Sequence, residues 1–306
     1  MKQQSVGHLI ALITVAIWGT TFISTKILLE SFSPIEILFI RFLLGFVCLS
    51  IVCPHPLRLK HKKQEIYFML AGICGVTLYF LFENIALTLT MASNVGVIVA
   101  ISPFFTALFS RAINPGQPLQ PRFFLGFLLA IGGIACISFN GQALQFNPAG
   151  DLLAAAAAIV WSLYTILTRK IGSYGHSVLQ TTRHIFLYGL IFMVPALFFM
   201  DFQPQWQQII LPQNLMNILF LGVGASACCF ASWNAAVAIL GAVKTAIYIY
   251  LIPVITVITS ALILQEQITP IALCGMGLTL LGLIISEGTL WQLLQHKRHT
   301  KNNKSS

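Results

Sequence analysis

Residues 84–103, NIALTLTMASNVGVIVAISP, and residues 234–253, NAAVAILGAVKTAIYIYLIP, are two copies of one pattern. Asn84 and Pro103 of the first copy recur at an offset of 150 residues as Asn234 and Pro253. Four further residues recur at nearly that offset: Trp18 as Trp161, Arg41 as Arg183, Gly126 as Gly275 and Gly133 as Gly282. A chain built from two copies of one apolar half is typical of membrane transporters, in which one half rocks against the other around a central site.

The composition places this chain in a lipid bilayer. Hydrophobic residues make up 57% of the 306 residues and charged residues 8%, with a mean hydropathy of +0.86. A soluble domain of this length cannot bury so much apolar surface. A spanning helix needs roughly 20 apolar residues. Windows of that length predict ten spans, centred near Ile17, Leu44, Thr77, Ser102, Ile131, Val160, Tyr188, Ala225, Val254 and Leu280.

The net charge of +9 has an explanation that needs no nucleic-acid partner. Nearly all Lys and Arg residues lie before span one and in the linkers after spans two, four, six and ten. The intervening linkers hold Glu30, Asp151, Asp201 and Glu266, with Lys26 as the basic exception. By the positive-inside rule, both termini are predicted to lie in the cytoplasm.

The predicted fold is an all-α integral membrane protein of ten transmembrane helices, arranged as two inverted five-helix repeats. The first repeat covers residues 8–140, the second covers residues 150–290, and residues 291–306 form a basic cytoplasmic tail. Because five is an odd number, the second half must enter the membrane the other way up. Alternating access then follows, since exchanging the shapes of the two halves turns an inward-open protein into an outward-open one.

Four motifs stand out along the chain: WGTTFISTK in the first span, the Asn-led hairpins that end at Pro103 and Pro253, LILQEQIT after span nine, and a closing glycine-rich span. Together they resemble the motifs of the EamA family of the drug/metabolite transporter superfamily. The resemblance covers the chain from about Leu9 to Glu287. It implies a central cavity lined mainly by helices one, three, four, six, eight and nine. Characterised members mostly move small metabolites such as amino acids across bacterial inner membranes, often outward.

This chain departs from the family pattern at one place. Members commonly carry a Gly-Glu pair after helix four and again after helix nine. The second pair is Gln265-Glu266 here, and the residues from Arg111 to Gln117 replace the first. We interpret the loss as a change of helix capping.

Ionisable side chains inside a span are costly, so each is a functional candidate. Arg41 and Glu83 lie at similar depths, about two turns or roughly 10 Å from the outer side, and are predicted to pair. The pair is either a structural salt bridge, or it opens so that Glu83 takes up a proton or a substrate ammonium. Arg183 is predicted to pair with Glu287 near the cytoplasmic side. Lys244 either snorkels to water or lipid phosphate or meets an anionic group at the cavity mouth.

Aromatic and small polar residues mark a candidate substrate cavity. A Trp or Tyr deep in a span needs a hydrogen-bond partner, which a wet cavity supplies, whereas those near span ends are ordinary interface anchors. Trp206 and Trp291 are assigned to the anchors. The predicted cavity residues are Trp18, Thr21, Tyr79, Asn84, Asn94, Trp161, Tyr164, Trp233, Asn234 and Tyr248.

Pro103 and Pro253 each free a backbone carbonyl one turn earlier. The resulting bend serves either as a hinge for gating or as a packing kink, and the sequence leaves both open.

The leading functional hypothesis is a secondary transporter, an exporter of amino acids or related compounds. No glycine-rich GKS or GKT loop is present, so ATP hydrolysis is not predicted. The alternative within the same class is efflux of drugs or organic cations. An intramembrane enzyme would need a catalytic set such as HExxH or GxSxG, and a passive channel would need a ring of like residues, and the sequence has neither.

The predicted partners are a small-molecule substrate and the lipid bilayer, with no nucleic acid, cofactor or metal. The predicted location is the bacterial inner membrane. A complete two-repeat chain is able to work as a monomer.

Overall fold

The computed structural model describes residues 2–59, 61–89, 92–113, 120–138, 147–200, 202–263 and 269–287. These residues form helices joined by short turns, without a β-strand among them. The first half holds α1 (Lys2–Leu28), α2 (Pro34–Val52), α3 (Glu65–Gly72), α4 (Tyr79–Leu89), α5 (Ala92–Val99), α6 (Ser102–Ile113) and α7 (Pro121–Ser138). The second half holds α8 (Pro148–Gly172), α9 (Val178–Phe199), α10 (Trp206–Ile209), α11 (Pro212–Leu219), α12 (Cys229–Leu240), α13 (Ala242–Ala246), α14 (Leu251–Ile263) and α15 (Pro270–Glu287).

Seven helical segments of the described chain are long and apolar enough to cross a membrane. They are Gln3–Leu28, Pro34–Val52, Lys62–Leu89, Pro148–Gly172, Val178–Phe199, Pro212–Leu240 and Ala242–Thr259. Pro121–Cys136 and Pro270–Ser286 are shorter apolar helices. The protein is therefore a multi-pass membrane protein, and the count of ten spans stays a prediction.

Wide helical turns interrupt two of these segments at equivalent places. A π-helical stretch, Ile73–Leu78, joins α3 to α4, and another, Phe220–Cys228, joins α11 to α12. A π-helical turn holds more residues than an α-helical turn, and such turns occur often at functional sites. Both stretches lie beside the centre of the bundle, where the candidate site is found.

The helix is also interrupted one turn before each predicted hinge proline. α5 ends at Val99, four residues before Pro103, and the turn at 100–101 separates it from α6. A 3₁₀ segment, Ile247–Tyr250, precedes α14 and Pro253. The local bends that the prolines predict are therefore present, and their role as hinges stays a prediction.

Glycines bring α7 and α15 into backbone contact. A Cβ on Gly133 would lie 2.5 Å from the carbonyl oxygen of Gly275, and one on Gly282 would lie 2.5 Å from that of Gly126. Small residues allow this approach, and close packing is what holds helices together where the surroundings are apolar. Because Gly126 meets the later Gly282 and Gly133 the earlier Gly275, the two helices run antiparallel. Exchanging the repeat-related glycines turns one contact into the other.

A second pair of contacts has the same symmetry. Gly45 of α2 packs against the backbone of Gly222 in the second π-helical stretch. Gly72 of α3 packs against the backbone of Gly189 in α9. Each half thus contributes one partner to each crossing, so the two halves interlock around a central axis.

Capping fixes the start of α2. Ser33 and Glu36 form a reciprocal capping box, in which Ser33 N donates to Glu36 Oε2 at 2.7 Å and Glu36 N donates to Ser33 Oγ at 3.4 Å. The other oxygen of Glu36 accepts the backbone N–H of Gln203 at 2.9 Å. This buried carboxylate therefore ties the start of α2 to the chain beyond α9.

Candidate functional site

A cavity of about 60 Å³ lies where the two halves meet. The side chains of five predicted cavity residues line it: Trp18, Thr21, Tyr79, Asn84 and Trp161. Arg41, Glu83 and Pro253, predicted for other roles, also line it. The volume gives room for roughly four to six waters, at about 10–15 Å³ for each.

Aromatic rings form the floor of the cavity. The rings of Trp18 and Trp161, which are repeat mates, meet edge to face with centroids 5.3 Å apart. Tyr79 packs on Trp161 with centroids 4.8 Å apart. Aromatic pairs favour such tilted geometries at these distances, so the floor is a rigid apolar surface contributed by both halves.

The two repeat-related indoles differ in hydrogen bonding. Trp18 Nε1 donates to the carbonyl oxygen of Ala225 at 2.9 Å, within the second π-helical stretch. Trp161 Nε1 is buried without a hydrogen-bond partner among the described residues. The two halves are therefore not in identical local states around the cavity.

Two opposite charges face the cavity from the first half. Arg41 and Glu83 are 4% and 7% exposed, so neither reaches bulk water freely. Arg41 Nε donates to Ser226 Oγ at 3.0 Å, and its guanidinium carbon lies 4.5 Å from the centroid of the Phe80 ring. Tyr79 lies one turn before Glu83 on α4 and interacts with its carboxyl group.

Arg41 and Glu83, which are predicted to pair, interact electrostatically across the cavity. Within the described part of the chain they do not form a salt bridge within 4.0 Å, and the role of the pair stays a prediction. Arg41 instead bonds to Ser226 of the other half. The separation leaves both charged groups on the wall of one shared space.

Three other predicted cavity residues pack together beside the floor. Trp233 is fully buried, with its ring centroid 5.2 Å from that of Trp18. Tyr164 Oη donates to Asn234 Oδ1 at 2.8 Å, and Asn234 Nδ2 donates to Thr182 Oγ1 at 3.0 Å. These residues support the floor and connect α8, α9 and α12.

Asn84, the repeat mate of Asn234, bonds in the same way. Its Nδ2 donates to the carbonyl oxygen of Pro34 at 3.3 Å. Each asparagine therefore joins its own helix to the preceding long helix of its repeat. Asn84 also lines the cavity, whereas the structure places Asn234 in the packing beside it.

Tyr248 and Lys244 lie away from the cavity. Tyr248 Oη and His8 Nδ1 are hydrogen-bonded at 2.7 Å, which joins the beginning of α1 to the 3₁₀ segment before α14. Lys244 is exposed, and both alternatives for it stay predictions. The side chains of Asn94 and Glu287 and the Gln265-Glu266 pair lie outside the described residues.

Arg183 bonds to two backbone carbonyl oxygens near the end of α2. Its Nη2 donates to the carbonyl oxygen of His55 at 2.7 Å, and its Nη1 donates to that of Cys53. The guanidinium therefore closes the end of α2, because the last carbonyls of a helix have no partner within it. The predicted pairing of Arg183 with Glu287 stays a prediction, because the Glu287 side chain lies outside the described residues.

Sequence reasoning missed several residues at the cavity. Ser226 holds Arg41, and Phe80 supports its guanidinium. The remaining lining residues include Phe22, Thr25, Leu87, Ile249 and Ile252. Their only signal in the sequence was their position next to predicted cavity residues, since apolar residues are ordinary in any span.

A sequence model of the EamA-like transporter family matches residues 5–139 and again residues 148–287. The chain belongs to this family. The names of the relatives described below indicate transport rather than catalysis. This EamA-like chain is 27% identical over 290 residues to an uncharacterized transporter of Archaeoglobus fulgidus, and the match covers 93% of this chain and 98% of that protein.

Two relatives have names that include a class of substrate. A probable terminal-alkyne amino-acid exporter of Streptantibioticus cattleyicolor is 24% identical, with 89% of this EamA-like chain and 90% of that protein covered. A probable amino-acid metabolite efflux pump of Escherichia coli is 23% identical, with 92% and 95% covered. A solved crystal structure with 19% identity superposes with a TM-score of 0.74 over 92% of this chain and 98% of that one, which shows the shared fold.

Proposed function

We propose that this EamA-like transporter exports amino acids or related compounds by alternating access, with the cavity between its halves as the substrate site. The observation that carries the proposal is the combination of an aromatic floor with Arg41 and Glu83 on one small cavity. Such a site offers a donor for a carboxylate, an acceptor for an ammonium and an apolar surface for a side chain. The names of the two relatives, an amino-acid exporter and an amino-acid metabolite efflux pump, agree with this substrate class.

The arrangement proposed for the whole chain is ten helices in two inverted five-helix repeats, with both termini in the cytoplasm of a bacterium. The antiparallel crossing of α7 and α15 supports inversion, because helices five and ten of such repeats run in opposite directions. The two separately matched segments support the repeat. The protein would lie in the inner membrane and function without ATP.

Contacts at one end of the bundle support an outward-facing or occluded state. His8 bonds to Tyr248, and Arg169 bonds to the end of α12, at the end where α1 begins. Thr25 and Leu87, toward the end where α1 finishes, line the cavity. With the termini in the cytoplasm, the inner side would be closed and the cavity would lie toward the outside.

Efflux of organic cations is the second candidate function. The aromatic rings and Glu83 favour it, because both attract a desolvated cation. Arg41 disfavours a ligand that carries only positive charge, since like charges within one small buried site repel. The two functions are therefore distinguished by whether the exported compound carries a carboxylate.

Mass spectrometry of the growth medium tests the proposal. Cells that make the intact chain are compared with cells that make Trp161→Ala at equal abundance, and with Trp206→Ala as a matched control whose side chain is 72% exposed. Accumulation of amino acids or related metabolites with the intact chain and Trp206→Ala, but not with Trp161→Ala, supports export through the cavity. Accumulation of cations that lack a carboxylate favours the second candidate. Equal media from all three strains contradict export through this cavity.

A further inference from the structure

The guanidinium of Arg41 is held in one orientation at the cavity wall. Its Nε is bonded to Ser226, and its flat face lies over Phe80, so rotation about the side chain is restricted. An arginine has N–H donors on Nε and on both Nη atoms. The bond to Ser226 uses Nε, which leaves the two Nη groups as a planar donor pair. This geometry suits a carboxylate, which accepts both hydrogen bonds at once.

Glu83 supplies the opposite charge on the same cavity. It lies on α4, one turn after Tyr79, and both side chains line the space that Arg41 faces. A buried carboxylate and a buried guanidinium are costly when they are apart and only partly hydrated. The waters that the cavity can hold would hydrate both groups when no ligand is present. A ligand with adjacent carboxylate and ammonium groups would satisfy both charges together.

The rest of the cavity is apolar and aromatic. Trp18 and Trp161 form the floor, and Phe22, Ile249 and Ile252 extend it. A small hydrophilic side chain would leave this surface wet, whereas a bulky apolar one would cover it and gain the free energy of burial. The chemistry of the lining, rather than the present volume of the cavity, therefore favours a ligand with one charged end and one large apolar end.

We propose that Arg41 binds the carboxylate and Glu83 the ammonium of an α-amino acid whose bulky apolar or aromatic side chain packs on Trp18 and Trp161. The proposal rests on the proposed export function and names its substrate class. It assigns both charges to ligand binding, in place of a salt bridge between them.

Ligand binding to the purified full chain tests this assignment without requiring transport. Quenching of tryptophan fluorescence in detergent gives the Kd of L-phenylalanine, of phenethylamine, which lacks the carboxylate, and of 3-phenylpropanoate, which lacks the ammonium. We expect the intact chain to bind L-phenylalanine roughly 10- to 100-fold more tightly than either analogue, as expected for the loss of one hydrogen-bonded charge. Arg41→Met should erase the preference over phenethylamine alone. Glu83→Gln should erase the preference over 3-phenylpropanoate alone.

Ratios of Kd within one variant do not depend on how much of it is folded. If Arg41→Met does not purify as a single species, Arg41→Lys replaces it, and a weaker preference over phenethylamine is expected because lysine cannot make the paired bonds. Equal affinity of the intact chain for phenethylamine and L-phenylalanine would overturn the assignment, as would variants that leave both ratios unchanged. Failure to bind any of the three would also overturn it. In each case amino acids in the growth medium would still support export, so the two proposals fail separately.

Contacts between the ends of α8 and α12 hold one end of the bundle closed. Arg169, in the last turn of α8, donates to the carbonyl oxygens of Val237 at 3.3 Å and of Ala238, near the end of α12. A Cβ on Gly172 would lie 3.3 Å from the Cβ of Ala238. A cation at a helix C-terminus satisfies its last carbonyls and is favoured by the helix dipole. This contact ties the ends of α8 and α12 together.

The repeat-related positions lie at the other end of the cavity, with a basic residue again at the end of the long helix. The offset of 143 residues between Trp18 and Trp161 relates Lys26 to Arg169, and it relates Leu29 to Gly172. The offset of 150 residues relates Leu87 to Val237 and Thr88 to Ala238. Lys26 is exposed near the end of α1, and Leu87 lines the cavity. We infer that Lys26 binds the last carbonyls of α4 when this end of the cavity closes, while Arg169 releases α12.

Disulfide trapping tests this alternation. Leu29→Cys and Thr88→Cys are combined in a chain whose exposed Cys228 and Cys274 are replaced by alanine. A Cβ added at Gly172, the repeat mate of Leu29, would lie 3.3 Å from the Cβ of Ala238, the repeat mate of Thr88, and a disulfide needs Cβ atoms about 3.5–4.5 Å apart. We therefore expect oxidation to trap a cross-link, and each chain that carries only one of the two introduced cysteines to give none.

Removing the charge of Lys26 and removing the charge of Arg169 should change the rate of cross-linking in opposite directions. Lys26→Met should slow it and Arg169→Met should speed it, each by roughly two- to five-fold, the factor expected for a charge at a helix end. Lys170→Met is the matched control, because Lys170 lies beside Arg169 but over the Tyr174 ring. The inference is overturned if no cross-link forms, or if the two substitutions change its rate in the same direction or not at all.

Discussion

Gly133→Ala is expected to destabilise the protein although it adds a single methyl group. The new Cβ would lie 2.5 Å from both the carbonyl oxygen of Gly275 and the hydroxyl oxygen of Thr279, against an ordinary contact of at least 3.4 Å. A backbone oxygen cannot rotate away, so α7 and α15 would have to separate by about 0.9 Å. Overpacking of this kind costs about 1–3 kcal/mol.

The neighbouring Gly132 provides a control with the same chemical change. No atom of the described residues lies within 4 Å of the Cβ that alanine would add there. Gly132→Ala should be neutral or stabilising by about 0.5–1 kcal/mol, because alanine is the better helix former. Thermal unfolding of the purified chains in detergent, followed by loss of the monodisperse peak on size-exclusion chromatography, should therefore rank Gly132→Ala above Gly133→Ala.

Because the contact between α7 and α15 is symmetric, a glycine-to-alanine change in α15 should destabilise the protein in the same way. Gly282→Ala would place a Cβ 2.5 Å from the carbonyl oxygen of Gly126, whereas Gly277 has no described atom within 4 Å of its Cβ position. We expect Gly282→Ala to be less stable than Gly277→Ala by a similar margin of about 1–3 kcal/mol. Equal stability within either pair would refute the close crossing of α7 and α15.

Three further substitutions test contacts that position the helices around the cavity, each by the same thermal assay. Arg183→Met should cost about 1.5–3 kcal/mol, because two carbonyls beyond α2 lose a charged donor, and a stability matching the intact chain would contradict this. Ser33→Ala should cost about 1 kcal/mol through loss of the N-cap, with Ser33→Thr expected to retain most of it. Tyr164→Phe leaves the buried Asn234 oxygen without its donor and should cost about 1–3 kcal/mol, so an unchanged midpoint would show that this bond contributes nothing.

The sequence repeat predicted that Trp18 and Trp161 lie near the centre of the fold, because the same pattern occurs in both halves of the chain. Trp18 and Trp161 are repeat mates, and their mid-span positions exclude an interface role, so a central location followed. Tyr79 and Asn84 were predicted on a different ground, because they lie on a span that the family resemblance places around the cavity. The close glycines of α7 and α15 were also visible as repeated residues, although only the structure shows that each packs against the mate of the other.

The pairing of charges could not be predicted from depth alone. The π-helical stretch before α4 holds more residues in each turn, and one extra residue rotates everything after it by roughly 100° about the helix axis. The sequence gives no signal of that rotation, so the direction in which the Glu83 side chain points could not be predicted. The bond of Arg41 to Ser226 depends on the second π-helical stretch in the same way.

Lys26 is a residue for which the positive-inside rule and the sequence repeat lead to different interpretations. It is the exception to the charge pattern by which the termini were assigned, so the positive-inside rule treats it as an anomaly. Its repeat mate, Arg169, binds the end of α12 in the structure. Comparing repeat mates is therefore the basis for the role proposed for Lys26, and charge counting offers no such basis.

Amino-acid exchange by the purified protein in proteoliposomes tests the central claim most directly. Vesicles loaded with unlabelled L-phenylalanine should accumulate labelled L-phenylalanine when they contain the intact chain or Trp206→Ala. Accumulation should be lost with Trp161→Ala and with Tyr79→Ala, although both variants are incorporated in equal amounts. Full exchange by both cavity variants, or no exchange by the intact chain, would contradict the account of this cavity as an amino-acid pathway.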